Sequence, residues 1–347
     1  MESHMKKIIF FISLIILVSA NLIIGQENEQ NLYPIRQNGK FGYIDQTGTV
    51  VIEPQFDRAY YFSDNRARIQ KGDKYGFINK EGKIIVDPVY SRARDFSSGL
   101  AAVKINEKWG FLDQDGNMAI KPRFLKVRSF REGLASVQVS NHVLLFFYDK
   151  RWGFINKQGE FVIEPIYMDA VNFSDGIAPV VIRKRVLLLP AIRKWICINT
   201  QGDTLFNGKE FYSIHRFKSG RAFAKKDNQQ GFVSPSGEFV IDTSPYQLSY
   251  SFSENRARFR KNNLWGYLDI NGDIVIEEQF TSARDFEGGL APVKISGKWG
   301  YINPSGEVII PAQFAVANPF INGLARVKKG SNSGYINKKG EFVWINK

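Results

Sequence analysis

The stretch Lys108-Trp109-Gly110-Phe111-Leu112-Asp113-Gln114-Asp115-Gly116 decides how this chain folds. Its first six residues alternate in the period-two manner of a β-strand. The Asp115-Gly116 pair then supplies a tight turn, because glycine takes a positive φ at little steric cost. Ahead of it, Leu100-Ala101-Ala102-Val103-Lys104 reads as another short strand. After the turn a third strand returns, as at Val50-Val51-Ile52 and Ile84-Ile85-Val86 in other parts of the chain. That strand is expected to end at a proline (Pro54, Pro88, Pro122, Pro165, Pro311), which cannot donate to a continuing ladder. Gly110, inside a strand, marks a bulge or a close backbone approach, and its aromatic neighbour is expected to pack on an adjacent unit.

The motif is a repeat. Copies start at Phe41, Tyr75, Trp152, Trp265 and Trp299, and degenerate ones at Trp195, Gln230 and Ser333. A turn glycine follows in all nine, at Gly48, Gly82, Gly116, Gly159, Gly202, Gly237, Gly272, Gly306 and Gly340. The intervals are 34, 34, 43, 43, 35, 35, 34 and 34 residues. A longer period overlies this one: Asn65-Arg66-Ala67-Arg68 returns at Asn255-Arg256-Ala257-Arg258, and Ala93-Arg94-Asp95-Phe96 at Ala283-Arg284-Asp285-Phe286. Both pairs are 190 residues apart, the length of five units, which points to duplication of a block.

Nine units of about three short strands each predict an all-β tandem array over residues 33–347, elongated and superhelical, with neighbours holding one another. The alternative is a closed, propeller-like ring, less expected because propellers typically have about four to eight four-stranded blades. The units resemble the WG-repeat family: an aromatic-Gly-aromatic-aliphatic core, a second glycine, Ile/Val-x-Pro, then Phe and Gly-Leu-Ala. The resemblance covers nearly all of residues 33–347 and implies a β-rich repeat protein, often exported, without assigning a ligand. Ile196, Gln230 and Ser333 depart from the pattern.

Residues 1–25 read as a signal peptide. Met5-Lys6-Lys7 forms a positive start, Ile8 to Val18 an apolar stretch, and small residues place cleavage near Ala20 or Gly25. Residues 26–32 then form a short linker. The only cysteine, Cys197, is far from that cleavage region, so the expectation is a periplasmic or extracellular protein that is not a lipoprotein. The net charge of +13 favours acidic partners, with anionic glycans and anionic surfaces included. The basic residues are scattered through the repeats, unlike the clustered runs of nucleic-acid binders, so no nucleic acid is expected.

The sequence shows no catalytic, cofactor-binding or metal-ligating constellation. Only His4, His142 and His215 are present, without companion ligands, and no nucleophile elbow or phosphate-binding glycine loop occurs. Glu53, Asp87, Glu164 and Asp242 repeat at a strand end. A glycosidase needs two carboxyls facing one cleft, whereas equivalent positions in successive repeats form a ladder. The reading is therefore a non-enzymatic binding or scaffold protein that uses no cofactor.

The candidate binding residues lie in the two 43-residue intervals. Each carries an apolar extension, at about 140–151 and 183–194, where insertions are ordinarily polar loops. The first includes Leu145, Phe146, Phe147 and Tyr148; the second Leu187, Leu188 and Leu189, framed by Arg183, Lys184, Arg185, Arg193 and Lys194. Exposed apolar patches mark partner surfaces, so an envelope protein is the first expectation. Peripheral contact with a membrane is a second, since apolar residues between cations suit a lipid interface. A glycan- or wall-binding module using the repeated aromatics is the alternative function. The plainest reading of the extensions themselves, ahead of either partner, is that both simply lengthen hairpins and pack on each other.

Overall fold

The computed structural model describes residues 31–346 except 145–146, 187–188, 207–210 and 250; for the rest of 141–148, 183–192 and 248–249 it describes the backbone alone. The signal peptide and most of the linker lie outside the described residues. Within them there is no helix, and 34 strands form nine separate antiparallel sheets in chain order. The sheets are the blades of a nine-bladed propeller, numbered here from the N-terminus. Seven have four strands, so the expected three strands per unit fall one short. Blade 2 is representative, with strands Arg58–Ser63, Arg66–Lys71, Lys74–Ile78 and Ile84–Tyr90. The sequence reading missed the first strand because elsewhere it is as short as two residues, as at Asp169–Ala170, or a single bridge, Ala93 to Val103, in blade 3. Blade 1 has three strands among the described residues and starts at Tyr33.

Each repeat straddles two blades. The aromatic after the motif glycine lies on a third strand, and the Phe some twenty residues later lies on the first strand of the next blade or just after it. The two rings meet edge-on or tilted: Tyr43 with Phe62 at 5.0 Å, Phe77 with Phe96 at 4.9 Å, Phe111 with Phe130 at 4.9 Å, Tyr267 with Phe286 at 4.9 Å. This geometry adds about 0.5–1.5 kcal/mol per pair beyond area burial. In blade 5 the buried Cys197 takes the aromatic's place, in one apolar cluster with Phe217. The core is therefore a chain of interfaces between blades, each built by residues that one repeat supplies to two sheets.

The same contacts close the ring. Tyr335 of blade 9 packs on Tyr33 of blade 1 at 5.6 Å, and its hydroxyl donates to Pro34 O at 2.9 Å. Tyr43, Tyr267 and Tyr301 make the corresponding bond to the next blade, each at 2.8 Å. Tyr33 stands at the register of Ala67 and Ala101, opposite the third strand. Its larger ring fills the gap left where other blades place a first-strand Phe, and its hydroxyl donates to Asn322 O. Turn glycines repeat the closure. A Cβ on Gly82 would lie 3.1 Å from Ile52 of the preceding blade, and one on Gly48 would lie 1.8 Å from Val343 O of blade 9. The elongated, superhelical array is thus corrected to the closed ring, because blades 9 and 1 share a buried cluster, a tyrosine hydrogen bond and a turn-glycine contact across the seam.

The motif glycine has the expected function. A Cβ on Gly110 would fall 2.5 Å from Ile120 O and 2.8 Å from Pro122 N. The fourth strand bulges there, with register shifts on either side. It does not stop at the proline: Met118–Phe124 runs through Pro122, and Val50–Phe56 through Pro54. An outer edge strand tolerates this, since its other side needs no donor. In blade 5, where Ile196 replaces the glycine, the fourth strand is described over Thr204–Phe206.

Candidate functional site

First and third strands of a blade run parallel, so their starts share one face of the ring with the turns between second and third strands. Charge effects identify the first strands as innermost. The guanidinium of Arg216 in blade 6 feels that of Arg131 two blades away, and the Glu287 carboxyl of blade 8 feels Lys218 of blade 6. Only residues near the axis of a ring approach non-adjacent blades this closely. Most of the exposed apolar residues, among them Val51, Val162 and Ile309, lie on the fourth, outer strands.

From this face a cleft of about 730 Å³ runs along the inner strands of blades 2–4, lined by Arg68, Tyr75, Arg92, Arg94 and Trp109 and reaching Arg131 at a turn between first and second strands. A second hollow of about 690 Å³ continues it through Arg94, Trp109, Lys126, Arg128 and Trp152 toward blade 5. The motif rings here are not bare platforms. The Arg94 guanidinium sits 5.5 Å from the Trp109 ring centre, that of Arg128 5.4 Å from Trp152, and that of Arg68 3.8 Å from Tyr60. Trp152 is buried and packs, as expected, in the cluster containing Phe173 and Val180 of blade 5.

The arginines divide by their partners. Arg68 is a latch between blades, with Nε 2.9 Å from Asp95 Oδ1 and Nη1 donating to Ala93 O at 2.7 Å. Arg258 repeats this with Asp285 and Ala283 O, both at 2.6 Å. Arg128 has a looser contact, Nη2 3.6 Å from Asp169, and its buried Nε has no hydrogen-bond partner among the described residues. Enclosure by the cleft, and then the guanidinium groups of Arg128 and Arg68, push the Arg94 pKa below its ordinary value, with Asp95 acting in the opposite sense. The cluster therefore carries mutual repulsion that an anion would relieve.

The base of the first sequence-expected extension adjoins this cleft. Both apolar extensions lengthen the hairpin between second and third strands: Ala135–Leu144 with Phe147–Ile155 in blade 4, and Ala178–Val186 with Leu189–Ile198 in blade 5. In blade 3 the corresponding strands are Ala101–Ile105 and Lys108–Leu112. Both long hairpins leave the ring on the cleft face, and Gln138 and Trp152, paired at the base of the first, line the hollow. Leu145, Phe146, Leu187 and Leu188 lie outside the described residues. Phe147, Tyr148, Arg183, Lys184, Arg185 and Leu189 are placed by backbone only, with His142 opposite Tyr148 and Arg183 opposite Arg193. Arg193 is exposed and Lys194 half-buried.

The cleft arginines were missed because positive residues are scattered through every repeat, with no local cluster to single any of them out. The available signal was register: Arg94 and Arg128 occupy the same place in successive units, just before the core Phe. The repeated carboxylates Glu53, Asp87, Glu164 and Asp242 are exposed on fourth strands of blades 1, 2, 4 and 6. No group of three or more potential metal ligands is found among the described residues.

Comparison with known proteins agrees with this architecture. A crystal structure of the eukaryotic initiation factor superposes with a TM-score of 0.61 over 92% of this chain and 98% of that one, at 10% identity. Apo AztD from Citrobacter koseri gives 0.41 at 9% identity, covering 92% of this chain and 94% of its own. The likeness to the initiation factor concerns the fold alone, and no curated protein matches. The model of the WG containing repeat matches residues 41–75, 75–109, 109–141, 152–185, 197–229, 231–265, 265–299 and 299–332. Its spans run from one motif aromatic toward the next, so each crosses a blade boundary, and on this match the chain belongs to the WG containing repeat family.

Proposed function

We propose that this propeller is an exported, non-enzymatic docking protein of the cell envelope that captures a partner protein on the face carrying the two long hairpins. A repeat propeller suits a binding or scaffold role, because its blades bury their core between them and leave a broad face for contact. The observation that carries the reading is that two neighbouring blades, and no others among those described, extend their hairpins on the same face. Apolar segments so placed suit a protein surface, and the cations Arg193 and Lys194 at their stem favour an acidic one. Export rests on the positive-then-apolar start at residues 5–18. Peripheral membrane contact would use the same hairpins.

The test is capture from envelope extract by the protein and by a variant lacking residues 143–149 and 186–192, both shown to be folded by circular dichroism. Loss of specific partners on deletion supports the proposal. Retention of the same partners by both forms removes the hairpins from the binding site and refutes it.

A further inference from the structure

The block duplication provides a comparison within one molecule. Arg68, Arg94 and Asp95 of blades 2 and 3 have counterparts 190 residues on in Arg258, Arg284 and Asp285. The stacking is reproduced as well, with Arg284 5.3 Å from Trp299 as Arg94 is 5.5 Å from Trp109. The two copies then diverge. Where the first has Arg92, Lys126, Arg128 and Arg131, the second has Ser282, Val316, Asn318 and Ile321. The same blade architecture therefore stands without those four cations, so the fold does not require them in blades 3 and 4.

We propose that the cleft over blades 2–4, together with the hollow that continues it, binds the acid groups of a uronic-acid-bearing glycan, with Arg94, which lines both, and Arg128, which lines the hollow, as its acid-binding pair. A guanidinium stacked on an indole keeps its N–H edge for a carboxylate, which it can hold through two parallel hydrogen bonds. The ring faces are covered by those guanidinium groups, which removes the platform a neutral sugar would stack on. Asp73, Asp95, Ser91 and Ser129 also line the cleft or its mouth and suit hydroxyl groups. A polyhydroxylated acid uses both kinds of group, whereas an acidic peptide such as poly-L-glutamate has carboxylates for the arginines but no hydroxyl groups for Asp73, Ser91 and Ser129. The site does not depend on the hairpins, so one face would hold a partner protein and an acidic glycan side by side.

The test measures binding of polygalacturonate, its fully methyl-esterified form and poly-L-glutamate to the purified protein at fixed ionic strength. Polygalacturonate should bind, the ester should not, and poly-L-glutamate should bind at least about tenfold more weakly. Arg94→Gln and Arg128→Gln should each weaken polygalacturonate about tenfold, as loss of one charge-assisted contact does. Arg284→Gln on the second copy should leave it unchanged. Arg94→Lys and Arg128→Lys keep the charge but lose the planar fork, and should weaken binding severalfold even where a glutamine variant fails to fold. The hairpin-deleted form should bind as the intact protein does, which separates this outcome from the docking test. The inference is overturned if polygalacturonate does not bind, if poly-L-glutamate binds as well, or if Arg284→Gln weakens binding equally.

Discussion

Replacing Tyr33 by alanine tests whether the ring is closed. Tyr33 is 1% exposed, packs on Tyr335 and donates to Asn322 O across the seam between blades 1 and 9. Removing a large buried aromatic costs about 3–5 kcal/mol. The hydroxyl bond accounts for about 1 kcal/mol of it, which is the loss expected for Tyr33→Phe. With a urea m-value of about 3 kcal/mol/M, a loss of about 4 kcal/mol lowers the unfolding midpoint by about 1.3 M. Phe96→Ala at the interior Phe77–Phe96 interface is the reference, since Phe96 is 2% exposed. Both should shift the midpoint similarly, followed by far-ultraviolet circular dichroism and by fluorescence of Trp344, which lies 6.5 Å from Tyr335. In an open array Tyr33 would face solvent at a terminal unit. A Tyr33→Ala shift below about 0.3 M beside a full Phe96→Ala shift would refute closure, since a surface substitution costs within about 0.5 kcal/mol.

Further outcomes follow from the same geometry. Gly110→Ala should destabilise by about 1–3 kcal/mol, because its Cβ meets backbone that only a shift of the bulge can clear; a neutral result in thermal melting would count against the bulge. Burial raises the Tyr33 phenol from 10.0 to about 12. The unfolded chain therefore loses this proton first, and the stabilisation present below pH 10 fades as pH rises toward 12; melting temperature against pH should fall there, and less in Tyr33→Phe. Burial also pushes the Cys197 thiol far above its ordinary value, so an alkylating reagent should modify it only after denaturant is added. Rapid labelling of the native protein would contradict that placement.

The unit and its internal physics were legible in the chain. Trp109-Gly110-Phe111 with Gly116 dictated a strand, a bulge and a turn, because each depends on residues within about ten positions of one another. The nine-fold count and the five-unit duplication were equally readable as intervals. The short first strands were not, since a two-residue pairing such as Asp169–Ala170 has no hydrophobic period to detect.

The closed ring was decided only in three dimensions. Whether blade 9 meets blade 1 depends on the small rotation between successive blades summed nine times, which no local pattern encodes. Tyr33 in an alanine register was the one trace of it, and its meaning required Tyr335, some three hundred residues away, to be in place. The cleft has the same origin. Its arginines were each ordinary in sequence, and only the packing of successive blades around the axis set Arg94 within reach of both Arg68 and Arg128. The sequence alone thus determined a repeating β unit; the tertiary structure determined that nine of them enclose an axis, and which cations gather there.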